Sequence, residues 1–143
     1  MTLHDAKQQL VFQLMDIYDA NEAAAITDIV MEHITGWQRI DRVMNKTTPL
    51  PDNKQKELAD ITTRLLKHEP VQYITGHTWF AGMRFYVNNN VLIPRPETDE
   101  LVAWAIADTL NKNYPEPRKL NIFDIGTGSG CIAIAMKKKI PEA

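Results

Sequence analysis

Asp124, Gly126, Thr127, Gly128, Ser129 and Gly130 are the residues of this chain whose types and spacing point most directly to chemistry. Glycines at alternate positions free a short turn from side-chain bulk, and at Gly128 and Gly130 they let a ligand lie against bare backbone. Asp124 sets a carboxylate just ahead of the turn. The elements that must position these groups lie on either side. Leu120, Ile122, Phe123 and Ile125 form an apolar, β-branched and aromatic run that predicts a buried strand. Cys131 to Met136 predict a helix that is apolar on nearly every side. A strand, a glycine turn and a buried helix make the first half of a βαβ nucleotide-binding unit.

The spacing discriminates among ligands. The dinucleotide pattern G-x-G-x-x-G would need a glycine at position 131, which is Cys131. The pattern here, D-x-G-x-G-x-G from Asp124, resembles the first motif of the class I S-adenosylmethionine-dependent methyltransferases. The cofactor of those enzymes offers an amino-acid moiety to such a turn and needs close approach more than a phosphate cradle. The glycines alone also suit a strand-to-helix turn in another α/β protein.

Composition narrows the class. A chain of 143 residues, 44% hydrophobic and 24% charged, has the balance of a soluble globular protein with a modest core. A net charge of −2 gives no electrostatic grip on nucleic acid. The one cysteine, Cys131, excludes a disulfide framework within the chain and favours a reducing location. The opening MTLHDAKQQL lacks the basic and apolar regions of a signal peptide, and no apolar run is long enough to cross a bilayer. The expectation is a cytoplasmic protein without membrane contact. His4, His33, His68 and His77 lack metal-ligand spacing, so no metal is expected.

Residues 1–74 read as helices. Leu3, Leu10, Leu14 and Ile17 recur at helical spacing, with Thr2 and Asp5 as a capping box. A second helix starts at Asn21 as N-cap and stops at Gly36. A short piece covers Asp41 to Met44, a longer helix starts at Asp52 and runs through Leu58, Ile61, Leu65 and Leu66, and a last turn covers Val71 to Ile74 before Gly76. Together they predict a bundle of four or five antiparallel helices. Acidic side chains outnumber basic ones there by eleven to eight without a dense run, the pattern of a solvated face.

From Thr78 the period changes from 3.6 to 2. Trp79-Phe80, the Ala81-Gly82 turn and Arg84 to Val87 predict a β-hairpin, with Trp79 and Phe85 packing it. Asn88 to Asn90 form a polar turn, and Val91 to Ile93 another extended piece, stopped by Pro94-Arg95-Pro96. Glu97 to Glu100 supply an acidic first turn to an amphipathic helix through Leu110. A loop from Asn111 to Lys119 follows, and Lys137 to Lys139 read as a solvated helix end.

Four segments together carry a more specific resemblance: Glu69-Pro70-Val71-Gln72-Tyr73-Ile74-Thr75-Gly76, then Phe80-x-Gly82, then Val91-Leu92-Ile93-Pro94-Arg95-Pro96-Glu97-Thr98-Asp99-Glu100, then Asp124 to Gly130. In this order and spacing the chain resembles the HemK/PrmC family, the bacterial peptide chain release factor N5-glutamine methyltransferases. The likeness is close from Glu69 onward and architectural before it. It implies a helical substrate-recognition bundle over 1–76, a β-hairpin linker over 77–95, and over 96–143 the first part of a Rossmann-like class I methyltransferase domain. It implies S-adenosylmethionine as cofactor and class 1 release factors as partners, methylated at the glutamine of a Gly-Gly-Gln motif. It makes Asp124 and Gly126 to Gly130 cofactor residues, and sets Arg95, Pro96, Glu97 and Thr98 at the border of the active site. For Arg95 and Glu97 a structural ion pair or helix cap is an equal reading.

The chain also departs from the family. The acidic residue that would hold the cofactor ribose and the Asn-Pro-Pro-Tyr motif that grips the substrate amide do not occur before Ala143. The catalytic residues are therefore unassigned, and the expectation is an inactive fragment of a longer enzyme. Its strand from Leu120 would present an unpaired edge, and its apolar helix would pack on the bundle or hairpin or self-associate. The alternatives are a non-catalytic helical binding module with a vestigial cofactor motif, and a class I methyltransferase with another acceptor.

Overall fold

A computed structural model describes residues 1–111 and 120–143, which divide into two compact units, Met1–Thr75 and Gly76–Ala143.

The first unit is helical. Helix α1, Leu3–Leu14, begins at the expected capping box: the Asp5 amide donates to Thr2 Oγ1 at 3.2 Å, and the Thr2 amide donates to Asp5 Oδ2 at 3.0 Å. The Thr2 amide and the Thr2 hydroxyl, which also donates to Asp5 Oδ2 at 2.7 Å, hold the Asp5 carboxyl below its usual range. Helix α2, Ala20–Thr35, is capped two residues before the expected position. Asp19 is the N-cap, its carboxylate accepting from the amides of Asn21 and Glu22. Asp and Asn cap about equally well, so the fit of the chain into the bundle selects between them. Gly36 ends the helix at φ 69°, a left-handed value that favours glycine. Helices α3, Arg39–Met44, α4, Asp52–Leu65, and α5, Val71–Thr75, complete the unit. Leu3, Leu10 and Leu14 of α1, Ile26, Val30 and Ile34 of α2, and Leu58, Ile61 and Leu65 of α4 form one core. Their i, i+3, i+4 recurrence is the stripe that lets three helices share it.

The second unit is smaller. Strands β1, His77–Phe80, and β2, Met83–Tyr86, pair antiparallel through the two-residue turn Ala81-Gly82. Both turn residues have positive φ, 49° and 73°. That twist matches the strands, and for alanine it costs about 1–2 kcal/mol. Helix α6, Pro96–Asn111, has proline in its first position, where its missing N–H costs nothing. Helix α7 is Cys131–Lys139. An isolated hairpin is marginal in water. This one is held by a core in which Phe80 and Phe85 meet Val102 of α6 and Cys131, Ala135 and Met136 of α7.

Three expectations are corrected. Residues 120–125 form no strand: a strand needs a neighbour for its N–H and C=O groups, and the two strands of the described residues pair only with each other. Phe123 and Ile125 are accordingly 85% and 97% exposed. Helix α7 is one-sided rather than buried all round, with Ile134 facing solvent. Trp79 does not pack the hairpin; it is exposed, while Phe85 is buried as expected. Val91 to Ile93 lie outside the sheet as well, following an asparagine turn closed by the Val91 amide on the Asn88 carbonyl at 3.1 Å. Beyond Asn111, the loop expected up to Lys119 lies outside the described residues.

Candidate functional site

The glycine turn gains its shape from three left-handed residues. Gly126, Gly128 and Gly130 have φ of 81°, 53° and 76°, so each is glycine for conformational reasons before any ligand is considered. Beyond conformation the three differ. A Cβ at Gly126 would meet nothing within 4 Å, and one at Gly128 only the Gly126 carbonyl at 3.9 Å. At Gly130 it would meet Ile134 Cδ1 at 3.4 Å, a van der Waals contact with the end of a side chain. The most open backbone is Gly126 to Gly128.

Two hydrogen bonds stiffen this loop. Thr127 Oγ1 donates to Asp124 Oδ2 at 2.9 Å, and the Gly130 amide donates to the Thr127 carbonyl at 2.8 Å. Among the described residues the second Asp124 carboxylate oxygen has no donor, and Asp124 itself is half-buried. Helix α7 starts at Gly130 without a side-chain cap, and its first internal bond is the Ile134 amide to the Gly130 carbonyl at 2.9 Å. The amides of residues 131–133 precede that bond and stand at the positive end of the helix. Buried Cys131 and Ala135 anchor the helix to its core, so the turn sits on a fixed support.

Beside the turn, Trp79, Arg84, Tyr86, Ser129, Ile134 and Lys138 line an open groove of about 660 Å³. The segment 95–98 begins α6. The Arg95 carbonyl accepts from the amides of Thr98 and Asp99, and the side chains of Arg95, Pro96 and Glu97 are exposed while Thr98 is half-buried. Arg95 and Glu97 form no ion pair among the described residues. The fold brings Asp124 to Gly130 together as one turn; among the described residues no hydrogen bond joins Arg95 to Thr98 with that turn.

Sequence reasoning missed the role of Asp99. Its Oδ2 accepts from the Ala81 amide at 3.0 Å, tying the hairpin turn to the first turn of α6. The bond joins residues 18 apart, and no local pattern in the sequence marks it.

Residues 124–130 offer open backbone at Gly126 and Gly128, helix-start amides without a side-chain cap, and an Asp124 carboxylate oxygen with no bond among the described residues, a set that suits a ligand carrying both a carboxylate and an ammonium. No group of three or more metal-ligating side chains occurs among the described residues, and none of their helices is long and apolar enough to cross a membrane.

A release factor glutamine methyltransferase of Flavobacterium psychrophilum is 39% identical over 143 residues, covering 100% of this chain and 50% of its own length. One from Bacteroides thetaiotaomicron is 45% identical over 130 residues, 91% of this chain and 44% of that protein. One from Salmonella typhimurium is 34% identical over 140 residues, 98% of this chain and 46% of that protein. The chain spans about half the length of the curated relatives it matches. The family profile described as PrmC N-terminal domain matches residues 5–76, from the first turn of α1 to the end of α5. The chain belongs to the PrmC N-terminal domain family.

Proposed function

We propose that this chain is the recognition and cofactor-entry half of an enzyme that methylates the side-chain amide nitrogen of glutamine in the Gly-Gly-Gln motif of class 1 peptide chain release factors. The observation that carries the reading is the likeness, over the full 143 residues, to a protein named release factor glutamine methyltransferase. On this reading residues 1–76 recognise the release factor, 77–95 link, and 96–143 open a Rossmann-like class I methyltransferase domain in a cytoplasmic enzyme. S-adenosylmethionine, when bound, supplies an electrophilic methyl group on a sulfonium. Gly126 to Gly128 give its amino-acid end close backbone contact, Asp124 holds the ammonium, and Thr127 keeps that carboxylate in place.

An amide nitrogen is a weak nucleophile because its lone pair is delocalised. The enzyme must therefore act by alignment and by holding the amide, and a turn fixed on a packed helix suits that task. Arg95 to Thr98, at the start of α6, border the acceptor on this reading. The test is mass analysis of the Gly-Gly-Gln peptide from release factors of cells lacking the protein. Loss of one methyl group from the glutamine supports the reading, and a glutamine that stays methylated overturns it.

A further inference from the structure

The first unit carries a charge arrangement that its composition hides. Although its acidic side chains outnumber the basic ones, Lys7 of α1, Arg39 and Arg42 of α3, and Lys46 line one pocket of about 220 Å³, in which Asp28 of α2 is the sole carboxylate. Asp28 Oδ1 is 3.1 Å from Lys7 Nζ and 3.3 Å from the Arg42 guanidinium, and Oδ2 is 3.7 Å from Arg39 Nε. One negative charge is shared by three positive ones, and Lys46 adds a fourth. Arg42 is buried, with its other arm on the Trp37 carbonyl at 2.6 Å, so part of this positive charge is fixed and desolvated. The rest of the lining is Leu3, Met31 and Val43, which are apolar, with His4 and Gln8. On the same short helix Ile40, Val43 and Met44, spaced i, i+3, i+4, stand exposed beside it.

We propose that this pocket docks an acidic segment of a partner protein, a Glu or Asp side chain seating among Lys7, Arg39, Arg42 and Lys46 while neighbouring apolar residues cover Ile40, Val43 and Met44. Charge complementarity names the occupant. The surplus cations need an anion, and the apolar lining and exposed α3 face need side chains of a polypeptide rather than a bare ion. A long polyanion such as nucleic acid would meet the net negative charge of the rest of the unit. The proposal stands on the first unit alone and is independent of the glycine turn.

The test is an NMR titration of the 143-residue chain with a capped six-residue peptide alternating Glu and Leu. Its Gln-for-Glu counterpart, inorganic phosphate and a single-stranded oligonucleotide are titrated in parallel. The Glu peptide is expected to shift the amides of Arg39 to Met44, and its binding to weaken with added salt. Charge reversal at the two exposed rim positions, R39E/K46E, is expected to lower its affinity about tenfold or more. The neutral pair R39Q/K46Q, which cannot repel Asp28, should lose less in the same direction. K67E, outside the pocket, should leave binding unchanged. Equal binding of the Gln peptide, equal binding to R39E/K46E, or tighter binding of phosphate or the oligonucleotide at these amides would each overturn the proposal.

Discussion

Replacing Asp28 with Asn should loosen the helical unit by about 2 kcal/mol, and the structure says where that figure comes from. Lys7 and Arg39 each lose a carboxylate partner, but they are 36% and 78% exposed and return to water at a cost of about 0–1 kcal/mol. Arg42 is 8% exposed and has no such escape. It keeps the Trp37 carbonyl but loses a charge-assisted bond of 3.3 Å, a class worth about 1.5–3 kcal/mol, and the length places this one in the lower half of that range. Hydrogen exchange at the Val30 and Met31 amides of α2 reads the opening of this unit separately from the other. Exchange should quicken about 30-fold in D28N and less than threefold in Arg39→Ala. Equal effects of the two substitutions, or no effect of D28N, would refute the assignment of the cost to buried Arg42. The pH dependence has a definite sign. Burial of Asp28 opposes its ionisation, but the Lys7 hydrogen bond and the charges of Lys7, Arg42 and Arg39 outweigh it and hold the carboxyl below its ordinary 3.8. Its contribution is therefore complete above pH 3.8 and is lost as pH falls through the lowered folded value. D28N should lack that acid-side loss.

Three further outcomes are expected. Thr27 Oγ1 is buried without a hydrogen-bond partner among the described residues, so Thr27→Val should stabilise the unit by about 1 kcal/mol, read by the same exchange measurement. Asp99→Ala should free the Ala81 amide and destabilise the hairpin by about 1 kcal/mol, whereas Ala81→Asn, which tolerates the left-handed φ, should stabilise it by about 0.5–1 kcal/mol; hairpin amide exchange separates the two. Gly128→Val, at φ 53° in otherwise open space, should cost about 1–2 kcal/mol in local strain yet abolish methyl transfer by an enzyme containing this chain, read by label incorporation beside a thermal melt.

What was legible in the sequence was what short-range chemistry decides. Thr2 with Asp5 and Gly36 with its left-handed φ are local devices, and they end helices where their residue types say they should. The turn from Asp124 to Gly130 was legible for the same reason, since the three glycines and the aspartate interact within a few residues of one another. Features that depend on partners distant in sequence were not legible. The run at residues 120–125 has every local mark of a strand, yet a strand exists only with a neighbour to pair with. Lys7, Asp28 and Arg42 read as scattered surface charges because the packing of α1, α2 and α3, rather than spacing, brings them within 3.3 Å of one carboxylate oxygen. The Ala81 to Asp99 bond joins residues 18 positions apart and had no pattern to announce it.

The measurement that tests the central claim most directly is transfer of a labelled methyl group from S-adenosylmethionine to a class 1 release factor, using an enzyme that contains this chain. The account predicts label on the side-chain nitrogen of the Gly-Gly-Gln glutamine, and none on a release factor with that glutamine replaced by Glu. Label elsewhere on the release factor, or none on the natural one, would contradict it.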